Sequence, residues 1–260
     1  MKCSEILTVL EQQSPLSLAC SWDNPGLLVG DPNQEIRRVY IALDATDEVI
    51  RAAVSCKADL LLTHHPLIFS PVKQIRMDDF IGRRILMLAE KQISYIAMHT
   101  NFDVGAMGKL AADKLGLTGQ EVLDVTAETA EGAAGIGRCG SLAEQMTLRQ
   151  CAQFVRDTFG LEQVSVFGDA ESVISRAAVC PGSGKSEVAE AVRQNADVLI
   201  TGDIDHHTGI DAVAQGLSII DAGHYGLEHI FIGYMQEYLQ NHTKDLEIFV
   251  PGKEFPFWVI

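Results

Sequence analysis

The stretch ADLLLTHHPLIF, Ala58 to Phe69, decides how the rest of the chain is read. Its apolar run Leu60-Leu61-Leu62 has the length of a buried strand, and Pro66, with no N–H to donate, stops the ladder. His64 and His65 are therefore placed at the carboxyl end of a strand, where open α/β sheets collect their ligands. Neighbours on a strand point to opposite faces, so both imidazoles serve one site only if the backbone turns there. Two readings stand at this stretch: a pair of metal ligands, or a pair that ends a strand and faces water.

Outward from it, apolar runs and helical spacings alternate. Val39 to Leu43 reads as a strand, Asp47 to Lys57 as a helix with Val49, Ile50, Ala53 and Val54 on one side, and Asp78 to Gln92 as a second helix. Ile93 to Asp103 gives another strand ending in HTNFD, and Gly108 to Leu115 another helix. Such alternation predicts a largely parallel sheet covered on both faces.

The pattern then recurs. Arg38–Thr63 aligns with Arg176–Thr201 without a gap, and Arg38, Ala53, Val54, Ala58, Asp59, Leu61 and Thr63 meet Arg176, Ala191, Val192, Ala196, Asp197, Leu199 and Thr201. The copies differ where chemistry would sit, with His64-His65 in the first and Gly202-Asp203 in the second. Between them, Thr126 to Gly140 is small, polar and glycine-rich and reads as a boundary. The expected organisation is a first α/β lobe over 1–126, completed by 230–260 through a last strand (Leu246 to Gly252), and a second lobe over 127–229. Two nucleotide motifs are tempting and weak. Gly135, Gly137 and Gly140 spell G-x-G-x-x-G with no strand before them, and are read as turn residues. PGSGKS (Pro181 to Ser186) has Val179 where a P-loop needs its first glycine, so it reads as a tight turn at a helix start, with phosphate contact left open.

Composition narrows the function classes. Of 260 residues, 47% are hydrophobic and 21% charged, an ordinary globular balance. A net charge of −15 and the lack of any Lys/Arg-rich run argue against a nucleic-acid partner. There is neither a membrane-length apolar run nor a signal-like N-terminus, and the six cysteines are scattered with no CxxC, so no membrane partner and a reducing, cytoplasmic setting are expected.

Three strand ends carry ligand-type side chains: His64-His65; His99 with Asp103; and DAGHYGLEH, with Asp221, His224, Glu228 and His229. His224 and Glu228 are four apart, so on a helix they share a face. Histidine and carboxylate without cysteine suit Zn, Fe, Mn or Ni, and imidazole argues against Mg or Ca alone. Two ions could share a carboxylate about 3.5–4 Å apart. Asp203, His207 and Asp44 are candidate helpers near such a site, and His99 either orients a ligand or caps a strand. His206 and His207, following Asp203 and Asp205, read either as a rival metal cluster or as the opening of a helix; His229 and His242 read as surface residues.

Taken in order, SWDNPGLLVG, LLLTHHPLIF, HTNFD, TGDIDHH and AGHYGLE resemble the signature segments of the Nif-three-like dinuclear metal-binding family, whose members go by the name GTP cyclohydrolase 1 type 2 homologue. The resemblance covers nearly the whole chain. It implies two similar three-layer α/β lobes with mixed, largely parallel sheets and a metal site in the cleft between them. By it, His64, His65, Asp103, His224 and Glu228 take the positions of ligands to two divalent ions per subunit, with the glutamate bridging. It further implies a toroidal homohexamer and a hydrolase acting through a metal-bridging hydroxide on a small, nucleotide-like substrate. The alternative is a non-catalytic regulatory or scaffold protein that binds metal and forms the same ring.

Overall fold

The computed structural model describes residues 1–130, 132–253 and 255–258, and divides into two units: Met1–Gly105 with Phe231–Glu254, and Ala106–Ile230 with Phe255–Ile260. The first begins with α1 (Cys3–Gln13), β1 (Gly26–Val29), β2 (Arg38–Ala42), α2 (Asp47–Ser55) and β3 (Leu60–Thr63). It continues through α3 (Phe80–Glu90), β4 (Ser94–Ala97) and the single turn α4 (Thr100–Phe102). Its five-stranded sheet has the order β1-β4-β3-β2 followed by the C-terminal strand Glu247–Phe249. That strand pairs parallel with β2, as the return of the chain to its first sheet required. β2, β3 and β4 are parallel, and only β1 runs against its neighbour.

The helices start where local chemistry allows. Thr46 accepts the Val49 N–H at 3.2 Å ahead of α2, and Asp79 accepts the Gly82 N–H at 2.7 Å ahead of α3. Tyr40, Ala42, Leu61, Tyr95 and Ala97 then pack on Ile50 and Ala53 of α2 and on Ile85 and Leu88 of α3. Their alternates Val39, Ile41, Leu60, Leu62 and Ile96 are fully buried too, so both faces of the sheet are covered. At about 2 kcal/mol per buried aliphatic side chain, the Leu60–Leu62 run alone anchors the strand that carries His64.

The second unit runs α5 (Gly108–Lys114), β5 (Thr118–Thr129), β6 (Gly132–Thr147), α6 (Leu148–Phe159), β7 (Ser165–Phe167) and β8 (Val173–Ser183). α7 (Val188–Arg193), β9 (Val198–Gly202), α8 (His206–Ala214), β10 (Ser218–Asp221) and α9 (His224–Glu228) follow. The strand order is β5-β6-β8-β9-β10-β7, with β8, β9 and β10 parallel and the others antiparallel. On one face Ala177, Val179, Ile200 and Ile220 meet α5, α6 and α9; on the other Ala178, Leu199 and Ile219 meet Ala191 of α7 and Ala212 of α8. This is the expected three-layer α/β arrangement with a mixed sheet.

The segment read as a linker is a correction. Residue 126 lies inside β5, which pairs with β6, so the change of unit comes at Gly105–Ala106 and not at 126–127. Nor are the glycines of the false dinucleotide motif turn residues. They lie in β6, where a Cβ on Gly135 would stand 1.8 Å from the Asp124 carbonyl oxygen, and one on Gly137 2.9 Å from that of Val179. Neighbouring backbone comes too close for side chains, so the strand lacks the large alternating residues that betray one.

The sequence repeat has a structural counterpart in equivalent hydrogen bonds. In the first unit Asp59 Oδ2 accepts the N–H groups of Arg37 and Arg38; in the second Asp197 Oδ2 accepts those of Ser175 and Arg176. Lys57 and Asn195, just before them, both turn the chain with positive φ, at 56° and 53°. Among the described residues no helix is long and apolar enough to cross a membrane.

Candidate functional site

The first unit gathers its ligand-type residues where β3 and β4 end. The condition set by the sequence is met, since the chain bends at His64 and His65; the Tyr95 hydroxyl holds the segment that follows, donating to the His65 carbonyl at 2.9 Å and accepting the Leu67 N–H at 2.8 Å. Burial holds the Tyr95 phenol above its usual range, so it stays neutral in this role. The rings of His64 and His65 are consequently 4.8 Å apart, and His99 joins them at 5.3 and 5.6 Å. Each offers a ring nitrogen within 4.8 Å of the others. Asp103 opens a π-helical turn (Asp103–Met107), which aims its carboxylate back at His64, Oδ1 to Nε2 at 3.5 Å.

Every one of these rings is fixed through Nδ1. His64 Nδ1 lies 2.7 Å from the Met98 carbonyl oxygen, which can only accept, so Nδ1 carries a proton and Nε2 is the nitrogen turned toward Asp103. His65 Nδ1 donates to Asp44 at 2.8 Å, and His99 Nδ1 to Asp23 at 2.8 Å. Burial opposes charge on Asp23, but hydrogen bonds from His99 and Thr100 outweigh it and hold the carboxyl well below the usual carboxylate range. His99 makes no capping hydrogen bond; its side chain belongs to the histidine group.

The second unit repeats the device. His224 Nδ1 donates to Asp203 at 2.7 Å, and His224 Nε2 stands 3.0 Å from Oε2 of the buried Glu228, one helical turn along α9. Asp203 itself has φ 58°, a left-handed conformation that Asp tolerates better than most residues. Gly202, the counterpart of His64 in the repeat, must be glycine, because a Cβ there would lie 2.4 Å from the His224 backbone nitrogen. Asp221 is spent on backbone, accepting the Ile204 and Gly223 N–H groups at 2.9 Å each.

The remaining sequence candidates fall elsewhere. His206 and His207 open α8 as expected, exposed and ring to ring at 5.2 Å. His229 Nδ1 bonds the Gly226 carbonyl and His242 Nδ1 that of Tyr238, both within helical turns. In PGSGKS, Lys185 pairs with Asp205, and Gly182 (φ 81°) lies against Glu228. Neither Asp23 nor Gly182 is visible from sequence as part of a site. Asp23 reads as one turn former among several, and its partner His99 is far along the chain.

In the first unit three imidazoles held through Nδ1 with the Asp103 carboxylate, and in the second His224 with Glu228, are donors of the kind that suits divalent transition ions. The tied Nδ1 atoms orient the rings, as the outer hydrogen bonds of metal-ligating histidines do. The residues fit such ions.

Known proteins share this arrangement of segments. The family model described as Duf34/NIF3 (NGG1p interacting factor 3) matches residues 1–254. A GTP cyclohydrolase 1 type 2 homolog of Clostridium perfringens is 34% identical over 257 residues, covering 98% of this chain and 97% of that one. One of Lactococcus lactis is 33% identical with both chains fully covered. Among solved structures, a Bacillus cereus protein related to NIF3 superposes with a TM-score of 0.91 at 25% identity, over 100% of this chain and 99% of the other. Reduced HcgD from Methanocaldococcus jannaschii superposes with a TM-score of 0.82 at 29% identity, over 96% and 97%. This chain belongs to the Duf34/NIF3 family.

Proposed function

We propose that this protein is a metal-dependent hydrolase of a small, nucleotide-like substrate, using two divalent ions per subunit. His64, His65, Asp103, His224 and Glu228 would be its ligands. The observation that carries this reading is the commitment of Nδ1 in His64, His65 and His224, to Met98, Asp44 and Asp203 respectively. His229 and His242 are held through Nδ1 as well, but by carbonyls of their own helical turn; these three are held by partners from other segments and stand beside a further ring or carboxylate. Bound ions of this kind supply Lewis acidity and bring the pKa of water toward neutrality.

The chain's own groups do the rest. Asp44 and Asp203 are positioning residues, since each is engaged with a ring nitrogen. His207, exposed at the start of α8, is a candidate helper of the reaction. The nucleotide-like substrate class is supported by the name of the relatives, GTP cyclohydrolase 1 type 2 homolog, and a homohexamer in the cytoplasm completes the proposal.

The test is turnover of GTP and of generic phosphoesters by metal-loaded protein, compared with His64→Ala and Glu228→Ala variants. Activity in the wild type that both variants lose supports the reading. Activity that survives in them overturns it. A wild type that turns over nothing, yet loses thermal stability on chelation, points instead to a scaffold held by metal.

A further inference from the structure

Beside the histidine group, the first unit leaves two large aromatic side chains open to solvent and in contact with each other. Trp22 is 59% exposed and Phe69 52%, with ring centroids 5.8 Å apart. Both also meet His99, edge-on, at 6.1 and 6.2 Å. Single exposed aromatics are ordinary; a contiguous pair that runs onto a set of ligand-type histidines is not.

The pair is also held in place. Asp23, next to Trp22, buries its side chain, which accepts from His99 Nδ1, from the Thr100 N–H at 2.9 Å and from the Thr100 hydroxyl at 2.6 Å. Asn24, one residue on, donates from Nδ2 to the Ile68 carbonyl at 2.7 Å, tying the Trp22 loop to the segment that carries Phe69. These hydrogen bonds hold the chain next to each exposed ring, so less ordering is left for a ligand to impose.

We propose that Trp22, Phe69 and His99 form a wall that binds a planar, fused heteroaromatic ring by stacking and edge contact, and so seat the base of a purine- or pterin-like substrate beside His64 and His65. Planar rings with π-faces are the chemistry such side chains recognise, without need of hydrogen-bond readout. A small planar ring rather than a protein partner is the occupant, because both side chains lead onto His99 and so onto the ligand-type histidines. As the substrate's binding site the wall rests on the hydrolase reading; as a ring-binding site it is tested without it.

The chain has two tryptophans, Trp22 and Trp258, and Trp258 is 81% exposed. A Trp258→Phe variant therefore makes Trp22 the sole indole reporter. Its fluorescence is titrated with guanosine and GTP, and with ribose 5-phosphate and inorganic triphosphate as probes without a ring. Each titration is run on metal-loaded and on chelated protein. We expect saturable quenching by guanosine with or without metal, none by the ringless probes, and an affinity about tenfold weaker in Phe69→Ala, whose fold is checked by circular dichroism. No saturable response to either ring-bearing probe overturns the proposal, as does Phe69→Ala binding guanosine as well as its parent. A Trp22 signal that follows protein concentration and ignores the probes also overturns it, and assigns the patch to a contact between copies. Protein that binds no metal yet is quenched by guanosine keeps the wall and removes the hydrolase; protein that binds metal without quenching does the reverse.

Discussion

Gly182→Ala is the most discriminating single substitution in the second unit. Gly182 has φ 81°, and an added Cβ would stand 2.5 Å from Glu228 Oε1 and 3.8 Å from His224 Nε2. Two costs separate cleanly. The left-handed backbone costs an alanine about 1–2 kcal/mol, which at this size lowers Tm by about 2–8 °C. The steric cost falls on the end of a side chain, so the Glu228 carboxylate has to retreat by about 1 Å to reach ordinary contact. A ligand atom moved that far leaves bonding range, and metal affinity should fall by at least about tenfold. Gly216→Ala is the control, because Gly216 has φ 86° with nothing within 4 Å of its added Cβ. Calorimetry of chelated protein should show similar losses of Tm for both variants, and metal titration should show a defect in Gly182→Ala alone. A Gly182→Ala protein that binds divalent ions as tightly as wild type would refute the placement of Glu228 in the site.

Further expectations follow from the same geometry. Asp203→Asn keeps a residue that tolerates φ 58° but gives His224 a neutral partner, so metal affinity should drop about 10-fold or more by titration while the urea midpoint changes little. Asp197→Ala removes the acceptor of the Ser175 and Arg176 N–H groups and of the Ser175 hydroxyl, and should cost about 2–3 kcal/mol in urea unfolding. Asp47 accepts from Arg84 at 2.6 Å and Arg83 at 3.0 Å, and those bonds hold its carboxyl below the ordinary carboxylate range. A depressed folded pKa contributes stability above the unfolded value, lost as pH falls through the folded one. Asp47→Asn should therefore be less stable by about 1 kcal/mol at neutral pH, with the gap closing below about pH 4.

The sequence exposes the parallel cores because their strands are buried on both faces and read as unbroken apolar runs, Leu60–Leu62 and Val198–Ile200 alike. The ligand-type residues stand out because each follows the end of such a run. The helix starting at His224 could be paired with Glu228 from spacing alone. What stayed hidden is decided by distant backbone. β5 and β6 looked like a linker because close strands exclude side chains at Gly135 and Gly137. The holders of the rings were hidden for a related reason: a Met98 carbonyl has no signature, and Asp23 and Asp203 announce themselves only as turn formers. Periodicity reports burial along an element, and it says nothing about which partners reach it from elsewhere.

The proposal that the chain holds divalent ions through His64 and Glu228 is tested most directly by elemental analysis of purified protein. The account predicts about two transition ions per chain in the wild type, with both His64→Ala and Glu228→Ala losing metal although they alter different units. Wild-type protein without stoichiometric metal after loading, or either variant retaining the full complement, would contradict it.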